Sequence, residues 1–143
     1  MSGGAAGGGF GGSAGMAGNG VTPTFTNVQT IFTTSCALST SCHKGSRPKA
    51  DLNLEPGMAY MNLLGGDAMG QLSCEFPAMR RVVPGRPDNS LLIAKLTTPP
   101  PGPPSAMCTS SGGMNNRDPQ FNDALPADQL SLIRNWISGG ARP

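Results

Sequence analysis

Four short stretches of the chain repeat apolar residues at helical spacing, and the first lies directly before a cysteine. In this stretch Val28, Ile31 and Phe32 fall on one helical face. Thr26 and Gln29 have the spacing of a capping box, in which each side chain bonds the backbone N–H of the other residue. The pattern predicts a helix of about two turns that begins near Thr26.

Two further helices are predicted in the middle of the chain. The first covers residues 57–64, with Met58, Met61 and Leu64 as its buried stripe and a Gly-Gly pair at its end. The second covers residues 88–96, where an Asp-Asn pair supplies the N-cap of a leucine-rich segment. Proline and glycine are frequent around these helices, so we expect long loops there.

The last helix has the clearest pattern. Pro126 suits its first turn, and Leu130, Ile133, Trp136 and Ile137 form an apolar stripe that ends before a Gly-Gly pair. No window of the sequence alternates apolar and polar residues in the way that strands do. The sequence therefore predicts a small all-α domain with long loops.

Residues 1–22 differ in composition from the rest of the chain. Ten of the first twenty residues are glycine. Such a segment buries too little apolar surface to offset the loss of backbone entropy on ordering. We expect a disordered, flexible tether over residues 1–22 and one folded domain over residues 23–143.

Charge and cysteine content narrow the class of protein. A net charge of +2 with few charged residues argues against nucleic-acid binding. A small, loop-rich domain needs disulfides, a metal or a buried cofactor for stability, and the even set of four cysteines favours an oxidising compartment.

The sequence shows no apolar signal segment after Met1 and no apolar run of membrane-spanning length. We expect a periplasmic or extracellular protein of the cell envelope. This expectation requires that the chain lacks its native N-terminal signal. A glycine-rich tether commonly follows an export or lipoprotein signal, so membrane tethering through a missing N-terminal lipid anchor is one possibility.

The residues that carry chemistry are Cys36, Cys42 and His43. Five residues separate the two cysteines, and His43 is the single histidine of the chain. This order is typical of c-type haem attachment, in which two thiols bond the porphyrin and the adjacent imidazole ligates the iron. The usual spacing has two intervening residues. Five place the cysteines roughly 240° apart on a helix, so the segment has to loop out between them.

Two other interpretations of these residues remain open. Cys36 and Cys42 could bond to each other, with Cys74 and Cys108 forming a second disulfide. We expect that second disulfide in the haem interpretation as well. Alternatively, a zinc ion could bind the cysteines together with His43, although two adjacent ligands are awkward for one ion and no C-x-x-C knuckle is present.

The order of several short segments resembles a family of exported cytochrome c-like domains found in myxobacteria and related bacteria. The match covers most of residues 25–141. Its most specific feature is the pairing of a Val-Pro-Gly-x-Pro segment with a terminal Trp-Ile-x-x-Gly-Ala helix. The matching segments are Ile-Phe at 31–32, Cys-His-Lys-Gly at 42–45, Leu-Asn-Leu at 52–54, Ala-Tyr-Met-Asn-Leu at 59–63, Arg-Val-Val-Pro-Gly-Arg-Pro-Asp-Asn-Ser-Leu at 81–91, a Cys-to-Met stretch at 108–114 and Ile-Arg-Asn-Trp-Ile-Ser-Gly-Gly-Ala at 133–141.

The resemblance implies a cytochrome c-like helical fold around one covalently attached haem c, with the first and last helices crossing beside the attachment segment. His43 would then be the proximal iron ligand. In the family a methionine between the later cysteine and the last helix looks like the distal ligand. Met114 is our preferred candidate and Met107 the alternative, although Asn115 follows Met114 where the family often has proline.

The implied function is single-electron transfer with redox partner proteins, and not catalysis. Motifs for hydrolytic or nucleotide chemistry are absent from the sequence. Lys44, Arg47 and Lys49 form a basic cluster that suits acidic redox partners or haem propionates. The alternative is a solvated loop without a binding role, which is the more common case for charged residues. The alternative function is a haem-free, disulfide-stapled extracellular module that has the same fold and serves in attachment or partner binding.

Overall fold

The computed structural model describes residues 22–110, 117–119 and 123–143. The described residues contain four α-helices and two 3₁₀ turns. In chain order they are α1, Phe25–Ser35; the turn Lys49–Asp51; α2, Ala59–Leu64; the turn Pro87–Asn89; α3, Leu91–Leu96; and α4, Ala127–Ser138.

The predicted all-α class is confirmed for the described residues. They contain no strand, and their only β-type pairing is an isolated antiparallel bridge between Leu72 and Arg80. No described helix is long and apolar enough to cross a membrane. The predicted tether, apart from its last residue, lies outside the described residues.

Helix α1 has the predicted buried face but a different N-terminus. Its three predicted apolar residues are all buried. The N-cap is Thr24, whose Oγ1 accepts a hydrogen bond from the N–H of Asn27 at 3.3 Å. The side chain of Gln29 donates instead to the carbonyl oxygen of Leu54 at 2.9 Å. The predicted capping box of Thr26 and Gln29 is therefore wrong.

Helix α4 packs against α1, so the first and last described helices meet. The ring of Trp136 lies 5.4 Å from that of Phe25, and Tyr60 packs edge-on against Phe25 at 5.1 Å. Two hydrogen bonds fix the end of the chain, from Trp136 Nε1 to the carbonyl of Arg142 at 2.7 Å and from the Tyr60 hydroxyl to the carbonyl of Ala141 at 3.0 Å. The aromatic side chains thus join α1, α2 and α4 into one core.

The predicted buried stripe of α2 is wrong at both methionines. Met58 is 48% exposed and Met61 is 57% exposed. Leu64 is buried as predicted, and Ala59 and Leu63 are buried in place of the two methionines. Ala59 and Leu63 are four positions apart and therefore share a face, and that face turns the two methionines towards solvent.

Helix α3 begins later than predicted. Asp88 and Asn89 lie in the preceding 3₁₀ turn, and the residue that precedes the helix is Ser90. The Ser90 hydroxyl accepts from the N–H of Val83 at 2.8 Å and donates to the carbonyl of Arg86 at 3.0 Å. This buried hydroxyl ties the Val-Pro-Gly-x-Pro segment to the start of α3, which is why the chain turns there before it becomes helical.

Candidate functional site

The end of α1 positions Cys36. The N–H groups of Cys36 and Ala37 both donate to the carbonyl of Phe32, at 2.9 Å and 2.8 Å. The Ala37 side chain is buried in the core, which fixes the direction in which the chain leaves the helix. Cys36 is therefore held at the end of a packed helix.

The five residues between the two cysteines form a closed loop. The N–H of Cys42 donates to the carbonyl of Ser39 at 2.9 Å, and the hydroxyls of Ser39 and Ser41 lie 2.8 Å apart. The N–H of His43 then donates to the carbonyl of Cys36 at 3.2 Å. This bond brings His43 back beside the end of α1, so the two ends of the motif meet although five residues separate the cysteines.

The imidazole of His43 is fixed by two backbone carbonyls. Its Nδ1 atom lies 3.1 Å from the carbonyl oxygen of Leu52 and 3.2 Å from that of Lys49. Both neighbours can only accept, so Nδ1 carries the proton. A neutral imidazole protonated at Nδ1 has its lone pair on Nε2, which is the form that a metal-ligating histidine uses.

Burial keeps the imidazole neutral. It lowers the pKa of His43 below the ordinary 6.5 and outweighs the charge of Asp118 and the two carbonyl hydrogen bonds, which act in the opposite direction. The positive charge of Lys95 adds to the decrease. At neutral pH the ring therefore offers a lone pair rather than a second N–H.

The carbonyls that hold His43 belong to a turn with left-handed backbone. Ala50 has φ 56° and Asp51 has φ 53°, a conformation that costs a residue with a Cβ roughly 1–2 kcal/mol. The guanidinium of Arg81 donates to the carbonyls of Ala50 and Asp51, each at 3.1 Å, and to that of Asn62 at 2.8 Å. These bonds secure the turn from the side of the core.

Cys36 and Cys42 are both free thiols. The disulfide between them, which was one interpretation of the sequence, is not formed in this structure. Burial is the main reason that the pKa of Cys36 rises to about 12, and electrostatic interactions with Asp118 and with Cys42 add to the increase. The Cys36 thiol is therefore protonated at neutral pH.

Cys74 and Cys108 form the expected disulfide and are 34 positions apart along the chain. Bonded sulfurs are not thiolates, so the zinc interpretation loses two of its ligands. In the described part of the chain, one group of His, Cys, Asp or Glu ligand atoms lies within 4.8 Å of one another, namely Asp51 with these two cysteines. Because its sulfurs are bonded to each other, this group is not a thiolate metal site.

The two candidate distal ligands have different outcomes. Met114 lies outside the described residues. Met107 is 71% exposed, so its thioether does not pack into the core. The described residues that flank Met114 lie near the motif: Ser110 donates its N–H to the Asp51 carboxylate at 2.6 Å, and the charge of Asp118 affects both His43 and Cys36.

Buried charged residues near the motif were not predicted from the sequence. Glu75 is 6% exposed and Lys95 is 8% exposed. Burial raises the pKa of Glu75, while Lys95 opposes the increase and Asp118 adds to it. Asp118 is held nearby, because its N–H donates to the carbonyl of Lys95 at 2.7 Å. These residues are far apart in sequence, and no local pattern signals that they come together.

The basic cluster contributes to the site in two ways. The backbone of Lys49 holds His43, as described above. The side chains of Arg47 and Lys49 line an open groove of about 470 Å³ together with hydroxyl side chains from the loop between the cysteines and from Thr109 and Ser110. All six residues that line this groove are polar or charged, and two of them, Thr40 and Ser41, lie within the Cys36–His43 motif.

Comparison with known proteins adds no assignment. No protein family, no curated protein and no solved structure matches this chain. Its function therefore has to be argued from the geometry of its own residues.

Proposed function

We propose that this chain is a monohaem c-type cytochrome domain that transfers single electrons in the bacterial cell envelope. The observation that carries the proposal is His43. It is the single histidine, it directly follows Cys42, and the carbonyls of Lys49 and Leu52 hold it in the Nδ1–H form. That form leaves Nε2 able to ligate iron.

The residues around His43 suit a covalently attached haem. Cys36 and Cys42 are unpaired thiols, and the hydrogen bond between Cys36 and His43 keeps the two ends of the motif together. A bound haem would supply a one-electron iron couple, and a His/Met ligand pair gives such a couple a relatively high potential. His43 is the proposed proximal ligand and Met114 the proposed distal ligand.

The fold and the disulfide support the same proposal. The contact between α1 and α4, with Cys36 at the end of α1, agrees with a cytochrome c-like arrangement. The Cys74–Cys108 disulfide favours an oxidising compartment such as the periplasm or the cell surface. The basic cluster of Lys44, Arg47 and Lys49 favours acidic redox partner proteins.

Haem attachment tests the proposal directly. We would express the full chain in a host that carries a c-type haem-attachment pathway, and record the mass of the denatured protein and its reduced visible spectrum. The expected result is a mass increase of one haem and a c-type α/β spectrum. A colourless protein without added mass would overturn the proposal and favour the haem-free, disulfide-stapled binding module.

Matched serine variants distinguish the two thiols. Cys42→Ser should abolish stable attachment beside His43. Cys36→Ser makes the matching change at the other cysteine, where it also removes the sulfur atom. If both cysteines form thioethers, Cys36→Ser keeps the haem but shifts its α band, because one vinyl group stays unreacted. If the band does not shift, Cys42 alone attaches the haem.

The distal ligand is tested by a second matched pair. Met114→Ala should remove the charge-transfer band that a methionine sulfur gives with ferric haem, and Met107→Ala should leave it unchanged. The opposite result would move the distal ligand to Met107, and an unchanged band in both variants would exclude both methionines.

A further inference from the structure

Arg81 is a buried arginine whose guanidinium group bonds backbone carbonyls. It is 8% exposed, and it donates to Ala50, Asp51 and Asn62 at 3.1, 3.1 and 2.8 Å. A guanidinium presents its N–H groups in a rigid planar fork. The three carbonyls must therefore keep fixed relative positions if all three bonds are to form.

The turn that Arg81 holds is the turn that holds His43. Ala50 and Asp51 lie between Lys49 and Leu52, whose carbonyls accept from Nδ1 of the imidazole. The left-handed backbone at Ala50 and Asp51 is unfavourable for residues with a Cβ. The hydrogen bonds from Arg81 offset that strain, because a hydrogen bond from a charged donor is stronger than one between neutral groups.

The other side of the same turn is also secured. The carboxylate of Asp51 accepts from the N–H of Thr109 at 2.6 Å, from its hydroxyl at 2.8 Å and from the N–H of Ser110 at 2.6 Å. The two bonds with Thr109 are exposed, whereas those of Arg81 are buried or partly buried. Arg81 is thus the interior support of the turn.

We infer that Arg81 is a positioning residue for His43, because it holds the turn at residues 49–52 in the conformation that keeps the imidazole in its Nδ1–H form. The role of His43 as an iron ligand rests on the function proposed above. The link between Arg81 and the state of the imidazole does not, so the two can fail separately.

The first test uses NMR of the full chain. His43 is the single histidine, so a two-bond ¹H–¹⁵N spectrum of the ¹⁵N-labelled protein reports its tautomer without ambiguity. Wild type should show the Nδ1–H form with slow exchange of that proton. Arg81→Lys keeps the charge but loses the fork, and should accelerate that exchange at least tenfold and mix the tautomers.

Arg80→Lys is the matched control. Arg80 is the adjacent arginine, and its guanidinium donates to the carbonyl of Gly70 rather than to the turn. The Arg80→Lys variant should therefore leave the His43 signals unchanged. Equal changes in both lysine variants, or no change in Arg81→Lys, would overturn the inference.

A rescue variant separates positioning from general loss of structure. Glycine adopts a positive φ readily, so Ala50→Gly in the Arg81→Lys background should restore the wild-type His43 signals. Ala68→Gly relaxes another positive φ, 56°, at an exposed position and should restore nothing. If Arg81→Lys does not fold, the double variant still carries the test, and a double variant with mixed tautomers would overturn the inference.

The haem-loaded protein gives an independent measurement. A hydrogen bond from Nδ1 makes the imidazole a more basic ligand, which stabilises ferric iron. Arg81→Lys should therefore raise the reduction potential, while Arg80→Lys should not. If wild type takes no haem, the proposed function fails but the NMR test still decides the role of Arg81. If wild type takes haem and Arg81→Lys has the same reduction potential as wild type, the positioning role is wrong.

Discussion

The Nδ1 atom of His43 lies 3.1 Å from the carbonyl oxygen of Leu52, and both the neutral and the charged ring can donate this bond, so it is burial and not the hydrogen bond that favours the neutral ring. Protonation at Nε2 would place a second N–H and a positive charge in a site where burial already lowers the pKa of His43 below 6.5. In the unfolded chain the same ring takes up a proton near pH 6.5. The unfolded state therefore binds more protons below that pH.

This difference predicts that haem-free protein loses stability in acid. The contribution of His43 is fully present above pH 6.5 and is lost as the pH falls towards its lower folded-state pKa. The slope should be at most about 1.4 kcal/mol for each pH unit. Urea unfolding of the chain expressed without haem attachment, repeated across this range, measures it.

His43→Asn is the control for this prediction. The amide of asparagine can donate near the position of Nδ1 but does not titrate. The variant should have a flatter pH dependence below about pH 6.5. If wild type and variant lose stability in parallel, other groups cause the acid sensitivity.

The Cys74–Cys108 disulfide should contribute strongly to stability. It closes a loop across 34 positions, and the loss of chain entropy in the unfolded state corresponds to about 3–4 kcal/mol. Replacing both cysteines with serine should lower the free energy of unfolding by that amount in urea titrations. Reductant should destabilise wild type to a similar extent and have little further effect on the double variant. A loss below about 1 kcal/mol would show that the bridge is strained or that the unfolded chain stays compact.

Gly70 should tolerate no side chain. It has φ 108°, and a Cβ added there would lie 2.2 Å from the carbonyl oxygen of Val82. Gly57 also has a positive φ, 84°, but a Cβ there meets nothing within 4 Å. Gly57→Ala should therefore cost only the backbone term, about 1–2 kcal/mol, while Gly70→Ala should cost on the order of 3 kcal/mol or more. Equal losses in thermal or urea unfolding would show that the backbone relaxes at Gly70.

The helices were predictable from apolar spacing, but the exact buried face of a short helix was not. Helix α2 has six residues, so its pattern has little redundancy. When a pattern is this short, several choices of buried face fit it about equally well. The predicted face included Met58 and Met61, and in the structure both are exposed. In α4 the stripe repeats over twelve residues, and three of its four predicted residues, Ile133, Trp136 and Ile137, are buried. Leu130 is only partly buried, and Leu132 is buried although it was not predicted to be.

The site was predictable only where side chains carry the chemistry. The Cys-x₅-Cys-His order is visible in the sequence, and so was the expected pairing of the two later cysteines. The groups that fix His43 are backbone carbonyls of Lys49 and Leu52, and any residue type has a carbonyl. Arg81 acts through carbonyls as well, so only the folded arrangement shows its connection to His43.

Cys36 provides a last prediction, because burial raises the pKa of its thiol to about 12 from an ordinary value of 9.0. Alkylation requires the thiolate. In folded, haem-free protein the rate at Cys36 should rise about tenfold per pH unit between about pH 8 and 10 without levelling off. In urea-unfolded chain it should level off near pH 9. Peptide mapping by mass spectrometry after iodoacetamide treatment measures both rates.

The charge of Asp118 gives the matched test of this prediction. Asp118 adds to the increase in the pKa of Cys36, so Asp118→Asn should speed alkylation of the folded protein. Asp123→Asn removes the same charge from an exposed position and should have little effect. The same pKa difference makes the free energy of unfolding depend on pH. The unfolded chain releases the Cys36 proton near pH 9 and the folded chain only near pH 12, so stability decreases between these two values. A rate that levels off near pH 9 in the folded protein would show that Cys36 is exposed to solvent, and would remove the basis for placing it in a buried haem-attachment site.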